Sequence, residues 1–420
     1  MFGRRRKETA REQPTDRSAS LRPGTSPSTA QLRPRSAVLS GQAEELMRNR
    51  QYAAAIPILQ DIVDSLRLSA QPGRPGRNER LGFYLSKLAG CLHETGSMRE
   101  ALAAAEEAAA ILTPLLPQVR SSLYECLECS ALALHALSER PEERAAAAMR
   151  AAALLAQESR PEFMEQALTR RERMLNLAAL ALKNTSDLRE ALRVYKEAIE
   201  VTESIAETLP DVRHRLAIHF ASMATLHAKV GEYVEACAAL ESCETSMSDP
   251  EFALPPDNRL AIAAQLLALG AWMVANRHHD DAGRPLLLAI QIYRAVRSDT
   301  QKLIEPALAS CLNQHAWNLC ILGEHDKALP FVEEAVELLR PIAESEPAWQ
   351  GSYAGFLDTL ATALAMAGRA DEALATCRAA LDIERKLADD DPGKYQAELT
   401  KVESLLARIE GREPGNFTDR

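Results

Sequence analysis

From about Ala37 onward, apolar residues recur at helical spacing and are interrupted by short polar turns that keep a common period. A small residue stands at Ala43, Ala89, Ala133, Ala179, Ala224, Gly270, Ala316 and Ala361, at intervals of 46, 44, 46, 45, 46, 46 and 45 residues. Twelve residues after each comes a second small column, alanine every time: Ala55, Ala101, Ala145, Ala191, Ala236, Ala282, Ala328 and Ala373. Seven further on, a third column departs from alanine only at Ile62 and Cys243 and otherwise reads Ala108, Ala152, Ala198, Ala289, Ala335 and Ala380. An alanine-rich chain yields such matches singly, whereas three columns held in register through eight copies require a repeat.

Between the first two columns lies a breaker position: Arg50, Gly96, Arg140, Ser186, Gly231, Arg277, Gly323 and Gly368. Glycine most readily takes the left-handed conformation that ends a helix. Acidic residues follow, as in Gly323-Glu-His-Asp, where they suit the N-terminal dipole of a new helix. Each unit therefore reads helix, tight turn, helix. Prolines at Pro72, Pro117, Pro161, Pro347 and Pro392 mark joints between units, where a missing amide hydrogen does least harm. The alanine columns have a steric cause, because two helices approach to about 8 Å only where the contact residues are small. One hairpin cannot bury its own apolar stripe, so the units must stack.

Composition agrees. The 420 residues contain 18 Gly and 19 aromatics among 46% apolar residues, which argues against a large sheet and for an all-α chain. Residues 1–36 hold nine Arg/Lys against three Asp/Glu and almost no apolar side chains, so they read as a disordered basic tail of charge +6. The net charge of −10 then leaves −16 on the body, which argues against broad nucleic-acid binding there. No charge-free apolar run reaches a membrane span of about eighteen residues, and no apolar segment follows Arg4-Arg5-Arg6-Lys7, so a cytoplasmic location is expected. Eight cysteines scattered through apolar helices fit reduced, packed thiols. Arginine outnumbers lysine 39 to 10, which together with the alanine usage points to a GC-rich bacterial genome.

The pattern resembles the tetratricopeptide repeat. That family's 34-residue signature has a small residue at its eighth position, glycine near the turn, an aromatic two residues later, and alanine at the twentieth and twenty-seventh. Ala224, Gly231, Tyr233, Ala236 and Cys243 fall on those positions in one copy, and Ala361, Gly368, Ala373 and Ala380 in another. The period near 45 is longer by about three helical turns, so both helices should be lengthened. HEAT and armadillo repeats share that period. The glycine turn followed five residues later by alanine is instead the tetratricopeptide spacing. The resemblance implies a right-handed superhelix of about eight hairpins over 37–394. A C-terminal capping helix would follow over 395–412, with Leu399, Val402, Leu405, Leu406 and Ile409 on one side, and a frayed tail over 413–420.

Catalytic chemistry finds no support. The only Gly-Lys, Gly393-Lys394, lacks the rest of a phosphate loop, and His93-Glu94 has Ser97 where a zinc protease needs histidine. Cys126 and Cys129 could supply half a zinc site but read as packed thiols, and His278-His279-Asp280-Asp281 reads as a helix junction in which His279 and His325 take the slot of Tyr52 and Tyr233. His214, His219 and His227 do not share a helix face. No enzyme activity, cofactor or metal is expected. What the resemblance implies is a concave surface lined by the first helix of each unit, which places Phe83, Leu134, Arg173, Asn176, Leu180, Lys183, Leu267, Asn313, Trp317 and Asp358 in a groove for a protein or peptide segment. Asparagine can pair with a peptide backbone, Arg173 and Lys183 can meet a carboxylate, and Trp317 is the best anchor. Two other readings remain: a regulatory subunit whose basic tail engages nucleic acid or an acidic partner, and an array that senses a small ligand between Leu267 and Trp317.

Overall fold

In a computed structural model, which describes residues 29–68, 75–209, 212–247, 255–296 and 301–411, the repeat unfolds into eight helical hairpins and one further helix. The hairpins are α1 (Thr29–Arg48) with α2 (Tyr52–Leu68), α3 (Pro75–Glu94) with α4 (Met98–Leu112), α5 (Arg120–Leu137) with α6 (Pro141–Leu155), and α7 (Pro161–Leu182) with α8 (Leu188–Ala206). They continue as α9 (His214–Lys229) with α10 (Tyr233–Met247), α11 (Pro256–Ala275) with α12 (His279–Val296), α13 (Gln301–Ile321) with α14 (His325–Ser345), and α15 (Gln350–Met366) with α16 (Ala370–Asp390). The last helix is α17 (Pro392–Ile409). Strands are absent among the described residues. Both members of a hairpin are long, α7 reaching 22 residues and α14 reaching 21.

The three small columns are the contact surfaces that close these hairpins. Every residue of all three is buried, most of the alanines at 0% exposure. Gly270 shows how little room remains, since a Cβ there would lie 2.5 Å from Leu286 Cγ of the partner helix. Around the columns Leu88, Met223 and Leu269 are buried, and Leu132 and Leu360 half-buried.

The breaker position is left-handed in seven of the eight turns, and three of those seven are arginine: Arg50 (φ 56°), Arg140 (φ 42°) and Arg277 (φ 66°). At Gly231 the turn closes with Gly231 N donating to Ala228 O at 3.0 Å and Glu232 N to His227 O at 2.9 Å. At Arg277 the same two bonds run to Val274 O at 3.2 Å and from His278 N to Met273 O at 2.8 Å. These bonds satisfy the last carbonyls of the helix with either glycine or arginine in the bend; at the Arg140 turn they come instead from Ser138 N and Glu139 N, Ser138 being left-handed as well (φ 54°). The Ser186 turn is built differently. There the Asp187 side chain caps α8 by accepting from Glu190 N at 3.1 Å, and Thr185 Oγ1 accepts from Asp187 N.

Two boundaries differ from expectation. Helix α1 begins at Thr29, inside the segment expected to be disordered, because the helical run continues upstream of Ala37; residues 1–28 lie outside the described residues. Helix α17 begins at Pro392 rather than 395, with Asp391 as its cap accepting from Lys394 N. Val402 and Leu405 are its buried residues, in keeping with a cap docked on α16. The expected frayed tail and Pro72 lie outside the described residues.

Stacking forms two layers. Successive odd-numbered helices touch at α3–α5, α5–α7, α9–α11, α11–α13, α13–α15 and α15–α17, whereas even-numbered helices do not pack to that extent. The layer whose members come closer is the inside of a curve, so the odd helices line it. Arg–Glu pairs instead join neighbours in the outer layer, as at Arg294–Glu334 and Arg284–Glu244. In the middle the pattern tightens. Helix α9 packs strongly on α11, while α10 makes no comparable contact with α11. Helix α11 is long and apolar enough to cross a membrane by length and composition, but Ile262, Leu266, Leu269 and Met273 are buried in the shared core.

Candidate functional site

The inner layer is where side chains remain available between packed helices. Helix α7 contributes most. Its 22 residues run from Pro161, a proline at the first helical position, and place Arg173, Asn176, Leu180 and Lys183 at i, i+3, i+7 and i+10, one face of a helix. Arg173 is exposed, with Glu128 Oε1 at 3.7 Å; Asn176, Leu180 and Lys183 are half-buried. On the same register of other units, Phe83 is half-buried against the edge of Tyr84, with Lys87 Nζ 5.3 Å from its ring. Leu267, Asn313 and Trp317 are half-buried on α11 and α13. The Asn313 side-chain oxygen is buried without a hydrogen-bond partner.

Two of the expected groove residues do not fit. Leu134 is 2% exposed and packs with Leu102 and Met98 of α4, so it closes the end of its neighbouring hairpin instead of facing a groove. Asp358 is 7% exposed, and its carboxylate acts on Cys377 and Glu384 of α16. Burial, then Glu398, then Asp358 push the Glu384 carboxyl up to about 7.

The expected groove is also interrupted. Residues Ala221 to Ala228 of α9 are all buried, so α9 offers no open stretch comparable to α7. Above it, Lys183 Nζ at the end of α7 donates to Gln265 Oε1 of α11, and Thr225 Oγ1 lies 3.2 Å from Gln265 O. The inner face thus has an early part, carried by α3 and α7, and a late part, carried by α11 and α13.

Sequence reading missed the polar network where α7 meets α9. Glu172, 4% exposed, accepts from Arg215 at 2.7 Å and from His219 Nε2 at 3.0 Å. Burial opposes ionisation there, yet the hydrogen bonds from His219 and Arg215 hold the Glu172 carboxyl below its usual range. His219 Nδ1 is buried with no partner. Tyr195 of α8 lies against the His219 ring at 5.9 Å. A buried charge with fully engaged oxygens fixes how two units meet, and nothing in the spacing of Glu172 and His219 announces it.

The candidates set aside in the sequence behave as packing groups. All eight cysteines are free; Cys126 and Cys129 are buried, and burial pushes each thiol up to about 12. His278 is stacked between Tyr233, at 4.1 Å, and Trp272, at 5.7 Å, while His279 Nδ1 meets Asn318 Oδ1 at 3.2 Å. No grouping of metal-binding side chains occurs among the described residues.

Comparison with known proteins gives likenesses to solved structures. A putative kinesin light chain with nearly identical TPR-like repeats from Podosopora anserina is 20% identical, over 51% of this chain and 95% of that one, with a TM-score of 0.35. The apo form of the quorum sensor NprR from B. thuringiensis is 13% identical over 83% of this chain and 87% of that one, at 0.41. The apo form of RapI is 11% identical over 84% and 98%, at 0.42. No family model and no curated protein matches the chain.

Proposed function

We propose that this chain is a non-enzymatic interaction scaffold of tetratricopeptide-like hairpins that holds an extended or helical segment of a partner protein on its inner helix layer. The observation that carries the reading is the recurrence on α7 and α13 of one pair: an asparagine with a large apolar residue one turn later, Asn176 with Leu180 and Asn313 with Trp317, each half-buried. Such a pair serves a peptide twice, because the amide meets its backbone while the apolar side chain covers its side chains. The unspent Asn313 oxygen supports this, since a buried acceptor without a partner is costly and is relieved by a donor from a ligand. Of the ten groove residues expected from the sequence, Phe83, Arg173, Asn176, Leu180, Lys183, Leu267, Asn313 and Trp317 stay in the proposal. Free, mostly buried cysteines are in keeping with a cytoplasmic protein.

The test is affinity capture from the native host with the intact chain and with Trp317→Ala and Asn176→Ala. We expect each substitution to lower recovery of the bound partner by about tenfold or more, as loss of a central contact does. Recovery unchanged in both variants overturns the inner-layer assignment.

A further inference from the structure

At the turn of the third hairpin, between α5 and α6, the carboxylates go to the wrong arginines. Glu139 accepts from Arg99 at 2.7 Å, and Arg140 takes both Glu143, at 2.7 Å, and Glu106, at 3.0 Å. Arg99 and Arg140 are exposed, where an ion pair matters little. Arg144, in the first turn of α6, is 5% exposed and has no carboxylate within ion-pair reach among the described residues. Glu142 is exposed and lies two residues before it, a spacing at which helix side chains do not face each other. The one hydrogen bond of Arg144 among the described residues runs from Nη1 to His135 Nδ1 of α5, at 3.2 Å. A guanidinium only donates, so this ring nitrogen accepts and the imidazole is neutral. Burial, then the charge of Arg144, hold His135 below its usual range, in keeping with a neutral ring. Arg144 Nε is buried without a partner, a costly state for a charged donor.

The unspent side of Arg144 is chemically specific. Nε and Nη2 carry the parallel N–H donors that match the two oxygens of a carboxylate. Elsewhere the chain uses this edge in that way, in Arg67 with Glu107, Arg193 with Glu190 and Arg369 with Glu372. In Arg144 the same edge has no acid against it, and Nη1 is fixed on an exposed histidine, so the guanidinium lies one side chain below the surface. We propose that Arg144 is the binding site for the carboxylate of a small free acid, which takes its Nε–Nη2 edge at the turn end of the third hairpin. A group 5% exposed admits a small molecule more readily than an extended chain, and a carboxylate, with one charge, sheds less hydration than phosphate on entering. The site goes beyond the inner-layer reading and shares no residue with the proposed groove, so each stands or falls without the other.

The probes are sodium acetate, inorganic phosphate and N-acetyl-tetraglutamate amide, each titrated into the full chain at constant ionic strength made up with sodium chloride. NMR of arginine-labelled protein follows the Arg144 Nε–H signal, assigned by its absence in Arg144→Lys or, should circular dichroism show that variant unfolded, by its displacement in His135→Ala. Acetate should move that signal saturably, and chloride alone should leave it in place. Acetate should also raise the unfolding temperature above that in chloride, because a ligand of the folded state stabilises it. In Arg144→Lys, which keeps the charge and loses the fork, the same rise should need about tenfold more acetate or vanish. A signal unmoved by acetate overturns the proposal. Movement with phosphate and not acetate overturns the carboxylate class, and movement with tetraglutamate and not acetate overturns the small free acid as its source. An equal rise in unfolding temperature with Arg144→Lys places the acetate elsewhere and overturns the site.

Discussion

The middle of the array, α7 to α11, and its later part, α11 to α17, are built from the same hairpin and stacked differently. In the later part each helix packs on its successor and the inner contacts are modest. In the middle α9 is wedged against α8, α10 and α11, and a side chain of α7 reaches α11 across it. Hairpin closure and unit stacking are therefore separate problems. The small columns solve the first identically throughout, whereas joint residues and polar contacts such as Glu172–His219 decide the second.

The sharpest way to break that comparison is to overfill the same column in both places. Ala224→Leu on the enclosed α9 should cost about 3 kcal/mol, and Ala361→Leu on α15 about 1–2 kcal/mol, read from denaturant midpoints. Equal losses would mean that α9 is no more confined than α15. A smaller effect addresses the turns. Gly231→Ala should cost about 1 kcal/mol because its φ is 84°, while Arg277→Gly should gain up to about 1 kcal/mol at the φ of 66°. If Arg277→Gly gives no gain, the arginine is held there by contacts beyond the bend. The smallest effect belongs to the outer layer. Arg284→Ala and Arg294→Ala should each cost below about 0.5 kcal/mol, and the loss should vanish in high salt, since Arg284 and Arg294 are half exposed.

How much of this could be read beforehand follows from what each feature depends on. The hairpins were legible because close backbone approach admits only small residues, and that constraint repeats in every unit at a fixed place. The left-handed bends were legible at Gly231 and Gly368 and hidden at Arg50 and Arg277, where backbone hydrogen bonds impose the conformation on a residue that does not advertise it, and at Arg140, which caps the returning helix two residues after a left-handed Ser138. Leu134 and Asp358 were misplaced because a helix register says which face a residue shares, not which neighbour fills that face. The pairs Glu172–His219 and Lys183–Gln265 join residues 47 and 82 positions apart, and whether such partners meet depends on how tightly the units wind. Periodicity within a unit carries no record of that winding.

The spacing across each bend has a consequence for inheritance. From the first small column to the second there are twelve residues in all eight units, while from the second to the next unit's first the count drifts between 32 and 34. Losing one codon inside a bend would swing the returning helix by about 100° and turn its alanines toward solvent. The same loss between units only re-seats one module against the next. Insertions and deletions in descendants of this gene should accordingly gather at the junctions and spare the bends.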